Sequence, residues 1–131
     1  MDYDFLVKKA MEARENAYAP YSGFRVGACI QTSDGRIYTG CNVENSSFGA
    51  AICAERTAIV KAVSEGSTKI SAIAITSDSD RLTYPCGICR QVISEFAGDD
   101  IKIICSDKKG QYKIYGMNDI LPHAFTREDM E

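Results

Sequence analysis

The stretch IKIICSDKKGQYKIYG, residues 101–116, decides how the sheet of this chain is wired. Its first six residues are a short, almost continuously apolar run of the kind found in strands covered on both faces. A second strand-like segment, YKIYG, follows just after DKKG. A parallel return needs a crossover of a dozen or more residues, usually a helix, so this link predicts that the last two strands pair antiparallel.

Upstream, ISAIAITS (residues 70–77) is a second buried-strand run and belongs in the middle of the sheet. Between the two runs, residues 86–97 put Val92, Ile93 and Phe96 on one helical face. A helix from about residue 52 to residue 65, ended by Gly66, precedes ISAIAITS. Strand, helix, strand, helix, strand is therefore the order, and with the last pair antiparallel the sheet is mixed. Further back, residues 24–41 read as a hairpin around Asp34-Gly35, with Val26, Ala28 and Ile30 alternating. Residues 4–17 read as an amphipathic helix stopped before Pro20. The end of the chain, NDILPHAFTREDME, reads as one helical turn and an irregular tail. No repeat, low-complexity segment or linker interrupts the chain, so residues 1–131 are expected to form a single α/β domain.

A formal net charge of -3 leaves no basic footprint for a long polyanion, which excludes nucleic acid as the expected partner and favours small solutes. The first residues carry acidic groups where a signal peptide carries basic ones. The apolar runs are far shorter than the roughly 20 residues a membrane helix needs. A soluble, cytoplasmic protein without membrane contact is expected, and its six cysteines are expected to stay reduced.

Three of those cysteines, Cys29, Cys41 and Cys105, sit singly in strand-like segments and read as small buried hydrophobes. The others are placed differently. Cys86 and Cys89 form a CxxC at the start of one helix, and Cys53 stands at the start of the other. Helix N-termini lower thiol pKa values and favour the metal-binding thiolate, and three thiolates suit Zn(II). A structural zinc site closes with four protein ligands, whereas a catalytic one keeps a position for water. His123, the only histidine, follows Pro122 in the tail, and neither Cys41 nor Cys105 has a helix-start setting, so three ligands plus water is the reading. Glu55, two residues past Cys53, is placed to move protons beside the metal, although a helix-start glutamate is also what the helix dipole favours. Arg56 can offset part of the negative charge that three thiolates and a hydroxide leave on zinc.

With CAER at residues 53–56 and PCGICRQ at residues 85–91, the chain resembles the small homotetrameric, zinc-dependent cytidine deaminases. The likeness runs from APYSGFRVGAC through GCNVENSSFGAAICAERTA and YPCGICRQVISEF to LPHAF, nearly the whole chain. It implies the cytidine deaminase-like three-layer fold, a five-stranded mixed sheet flanked by helices. In polynucleotide-acting members of that fold the last strand is typically parallel, and the DKKG link is too short for this. The resemblance also implies one zinc per subunit, held by Cys53, Cys86 and Cys89. It implies hydrolysis of cytidine and 2'-deoxycytidine to the uridines and ammonia in pyrimidine salvage, with Glu55 protonating N3 and then the departing amine.

The same resemblance assigns the substrate-binding positions: Phe24 beside the base, Asn42 and Glu44 on the ribose hydroxyls, Ala54 between the first ligand and Glu55, and Phe125 contributed by a neighbouring subunit. Ser46, Ser47 and Phe48 match an inter-subunit loop, with Phe48 standing where many relatives have tyrosine. Two rival readings remain open at this stage. A zinc-stapled binding module predicts a fourth protein ligand and no role for Glu55. Deaminases of aminonucleoside antibiotics or of nucleotides share the chemistry but not the substrate. The carboxylate of Glu44 near the ribose end would repel a 5'-phosphate, which favours a free nucleoside.

Overall fold

The structure is a computed structural model that describes residues 3–130; Met1, Asp2 and Glu131 lie outside the described residues. Five strands, β1 (Val26–Thr32), β2 (Ile37–Cys41), β3 (Ile70–Ser77), β4 (Ala97–Ser106) and β5 (Tyr112–Tyr115), form one sheet in the order β2-β1-β3-β4-β5. Only β3 and β4 run parallel; the other neighbours are antiparallel. The expected mixed sheet with an antiparallel last strand is therefore the one observed. Asp107 explains the tight return into β5: its Oδ1 accepts from Lys109 N at 2.9 Å and Gln111 N at 3.1 Å. Gly110 supplies the positive φ of 91° that the turn requires.

Helix α1 (Tyr3–Arg14) covers one face of the sheet, burying Leu6, Val7 and Ala10 against Cys29, Ala72, Ala74 and Ile104. Helices α2 (Ala54–Ser64) and α3 (Gly87–Phe96) cover the other, where Ala58, Ile59 and Ile93 meet Ile30, Ile73, Ile75 and Ile103. Neighbouring residues of β1, β3 and β4 thus supply opposite layers, and β3 and β4 read as continuous apolar runs for that reason. The result is the expected three-layer arrangement. A one-turn helix α4 (Met117–Ile120) follows β5.

Three boundaries differ from expectation. Helix α1 ends at Arg14 and not residue 17, because the amides of Glu15, Asn16 and Ala17 bond three residues back and Tyr18 then leaves to bridge Val43. Strand β4 begins at Ala97, four residues before the apolar run, because Ala97 already pairs with Ile70 across a register shift. The tail closes with a 3-10 turn, Arg127–Met130, where an irregular segment was expected. Among the described residues no helix is long and apolar enough to cross a membrane.

The helix that carries Cys53 and Glu55 lies close against β2. A Cβ on Gly40 would meet Ala54 O and Ala58 N, each at 2.6 Å, so only glycine lets the strand approach this backbone. Gly40→Ala should therefore destabilise the fold by about 1–3 kcal/mol, the usual cost of overpacking. Urea unfolding checks this, and an unchanged midpoint would contradict the contact.

Candidate active site

Strands β2 and β3 are both antiparallel to β1, so they run in the same direction and end at the same edge of the molecule. Each is followed by a loop and then a helix, and the two helices accordingly start side by side. Cys53 is the N-cap of α2 and Cys86 the N-cap of α3, both in extended backbone and neither thiol spent on capping. Cys89, one turn into α3, is buried.

The Sγ atoms of Cys53 and Cys86 are 3.7 Å apart, and those of all three cysteines lie within 4.8 Å of one another. Zinc–sulfur bonds of about 2.3 Å at tetrahedral angles require sulfurs about 3.8 Å apart. Spacing and donor chemistry therefore fit one zinc ion. Among the described residues no histidine or carboxylate joins this cluster. Burial pushes the thiols of Cys29 and Cys105 up to about 12, as expected for packing cysteines, and neither Cys41 nor His123 belongs to the group.

Electrostatics set the cysteines apart. A hydrogen bond from Cys89, with further ones from Arg56 and Cys86, brings the Cys53 thiol down to about 5, while Cys89, bonded to Cys53 and buried, is held well above the usual range. Arg56 Nη2 reaches Cys53 Sγ at 3.7 Å. Its Nε is buried without a hydrogen-bond partner. Glu55 is only 4% exposed. Burial pushes its carboxyl up to about 7, and the negative Cys53 adds to the rise.

A cleft of about 370 Å³ opens onto these groups, and Cys53, Glu55 and Cys86 line it together with Phe24, Asn42 and Glu44. Ala54, Arg56 and the largely exposed Phe48 also line it. Asn42 and Glu44 have a second duty that the sequence does not announce. Asn42 accepts from Val26 N and donates to Phe24 O, both at 2.9 Å, which fixes the segment that carries Phe24 into β1. Glu44 accepts from the amides of Tyr21 at 2.9 Å and Ser22 at 3.1 Å, and also from the Ser22 hydroxyl, which keeps its carboxyl below the usual range.

Not every expected residue is in this cleft. Ser46 and Ser47 are exposed and do not line it. Phe125, 60% exposed, borders a different cavity of about 560 Å³ with Glu95 and Arg127, and its carbonyl accepts from Gln91 Nε2. Thr83 and Tyr84 line the cleft without having been anticipated. Their place just before PCGIC was the only available signal, and no periodicity or charge pattern marked it.

Residues 1–105, which include all three cysteines, match the family model described as the cytidine and deoxycytidylate deaminase zinc-binding region. The chain is 46% identical over 130 residues to a cytidine deaminase of Halalkalibacterium halodurans, covering 99% of this chain and 98% of that one. A cytidine deaminase of Sporosarcina psychrophila is 44% identical over 99% of this chain and 96% of its own length. Among solved structures, a cytidine deaminase from Burkholderia pseudomallei superposes with a TM-score of 0.90 at 41% identity, covering 95% of this chain and 100% of that one. Sheet, thiol cluster and matched region agree, and the chain belongs to the cytidine and deoxycytidylate deaminase zinc-binding family.

Proposed function

We propose that the chain, acting as a single domain, deaminates cytidine and 2'-deoxycytidine by hydrolysis, giving uridine or 2'-deoxyuridine and ammonia. The observation that carries this reading is the placement of Glu55, a buried carboxyl in the cleft wall within reach of the charge on the thiol cluster. Cys53, Cys86 and Cys89 hold zinc. When bound, zinc lowers the pKa of a coordinated water to about 7 and so supplies a nucleophile at neutral pH. Glu55 accepts one proton from the water that adds to C4 and delivers it to N3, then takes the remaining proton of that oxygen as the C4=O bond forms and passes it to the exocyclic amine, which leaves as ammonia when the C4–N bond breaks.

The remaining residues bind and orient. Phe24 packs beside the pyrimidine, Ala54 forms the wall between ligand and base, and Asn42 and Glu44 direct their unused valences to the ribose hydroxyls. The carboxylate of Glu44 at that end selects against a 5'-phosphate, which points to a free nucleoside. Arg56 offsets excess thiolate charge and does not touch substrate. Phe125 and the loop of Ser46, Ser47 and Phe48 serve a neighbouring copy in a homotetramer, a reading supported by the exposure of Phe48 and Phe125 and by the place of Phe125 on a cavity other than its own cleft. A cytoplasmic role in pyrimidine salvage goes with this activity.

Purified protein should contain about one zinc per chain, as a soft three-thiolate site requires. Cys86→Ser should lose most of that metal, and metal analysis decides the point; full zinc content in the variant would remove Cys86 from the ligand set. Glu55→Gln should keep its zinc and its fold and still bind nucleoside, because the amide is nearly isosteric. Its kcat for cytidine should fall at least into the range of about 10²–10⁴-fold that general acid–base catalysis supplies. A loss below about tenfold, with zinc intact, would show that Glu55 does not carry the proton.

A further inference from the structure

Tyr84 lies two residues before Cys86 and lines the cleft together with Cys53, Glu55 and Cys86. The backbone on either side of it is fixed. Thr83 donates its amide to Ser106 O at 3.0 Å and its hydroxyl lies 2.6 Å from that of Ser77. Pro85 is fully buried, and its carbonyl accepts from Arg90 Nε at 2.7 Å while Arg90 Nη1 ties to Ile120 O at 2.8 Å. The Tyr84 ring, by contrast, is 45% exposed and stands between the cleft and an adjoining cavity of about 530 Å³. What restrains it is Tyr115, the last residue of β5: the two hydroxyls are 2.8 Å apart and the rings meet edge to face at 5.6 Å and 63°. Tyr115 lines that adjoining cavity and not the cleft, so the bond ties the Tyr84 ring from the far side of the wall.

We infer that Tyr84 is a specificity-determining wall at the metal end of the cleft and that Tyr115 is the positioning residue that holds it there. The inference rests on the deaminase reading, because that reading puts the exocyclic amine at the end of the cleft where Cys53, Cys86 and Glu55 lie. A ring held in that part of the wall limits what the amine can carry. Released from Tyr115, the ring is no longer fixed in the wall between cleft and cavity, and the room left for a substituent changes.

The test compares cytidine with N4-methylcytidine, whose hydrolysis breaks the C4–N4 bond, forms the C4–O4 bond and releases methylamine after protonation of the departing nitrogen. The quantity measured is the ratio of kcat/KM for the methylated over the plain nucleoside. Tyr84→Ala should raise that ratio more than about tenfold, since one methyl group in a closed pocket discriminates by about 10–200-fold. Tyr115→Phe keeps the ring contact and loses only the hydroxyl, so the ratio should shift roughly two- to tenfold from that of the unmutated chain, the scale of one neutral hydrogen bond. Tyr84→Phe should match it, and the double Phe variant should add nothing, as expected when both remove the same bond.

A merely structural role lowers both kcat/KM values together and leaves the ratio where it was, which would overturn the inference. A ratio moved by Tyr84→Ala but not by Tyr115→Phe would overturn the positioning role of Tyr115. An unmutated chain inert toward both nucleosides would overturn the deaminase reading, and this inference with it; activity on cytidine with an unmoved ratio overturns the inference alone.

Discussion

The site depends on two helix N-termini being delivered to the same edge of one sheet. Because β2 and β3 flank β1 and both oppose it, their ends are neighbours, and the loops that follow launch α2 and α3 side by side. Two cysteines at the N-caps then need no long reach to bring their sulfurs to 3.7 Å. Positive partial charge and free amides at both helix starts favour the thiolate form there. Gly40 extends the same constraint to packing, since α2 can lie against β2 only where no Cβ intervenes.

Charge balance follows from that arrangement. Three thiolates around a dication leave negative charge that must be met nearby, and Arg56 is one residue past Glu55 on the same first turn of α2 with its guanidinium on Cys53. Glu55 is drawn into the same field. Burial and the neighbouring thiolate raise its carboxyl to about 7, a value at which one group can take up and give back a proton near neutrality. One helical turn thus holds a metal-binding cysteine, a buried carboxyl and a guanidinium, and this density makes CAER informative as a sequence.

The sheet was legible because its central strands are covered on both faces and must be continuously apolar, and because the DKKG link leaves no room for a crossover. Boundaries set by tertiary contacts were not. Nothing in GDD at residues 98–100 looks like a strand, yet pairing with β3 draws Ala97 into the ladder. The tail of α1 carries alanine, a good helix former, yet the bridge from Tyr18 to Val43 takes the chain away. At the site, the cysteines declared themselves because zinc accepts few ligand types, and Glu55 because it sits among them. Asn42, Glu44 and Phe24 were reachable only through resemblance. The hydrogen bonds of Asn42 and Glu44 to the backbone of the neighbouring strand and turn leave no trace in composition or spacing, and neither does the contact of Tyr84 with Tyr115.

The central claim is that the thiol cluster is an open, catalytic zinc centre and not a closed structural one. Zinc K-edge X-ray absorption on the purified protein tests it most directly. The account predicts three sulfur scatterers at about 2.3 Å and one light oxygen scatterer at about 2.0 Å. A shell of four sulfurs at the longer distance would contradict it, because a fourth protein thiolate would occupy the position where water has to be activated.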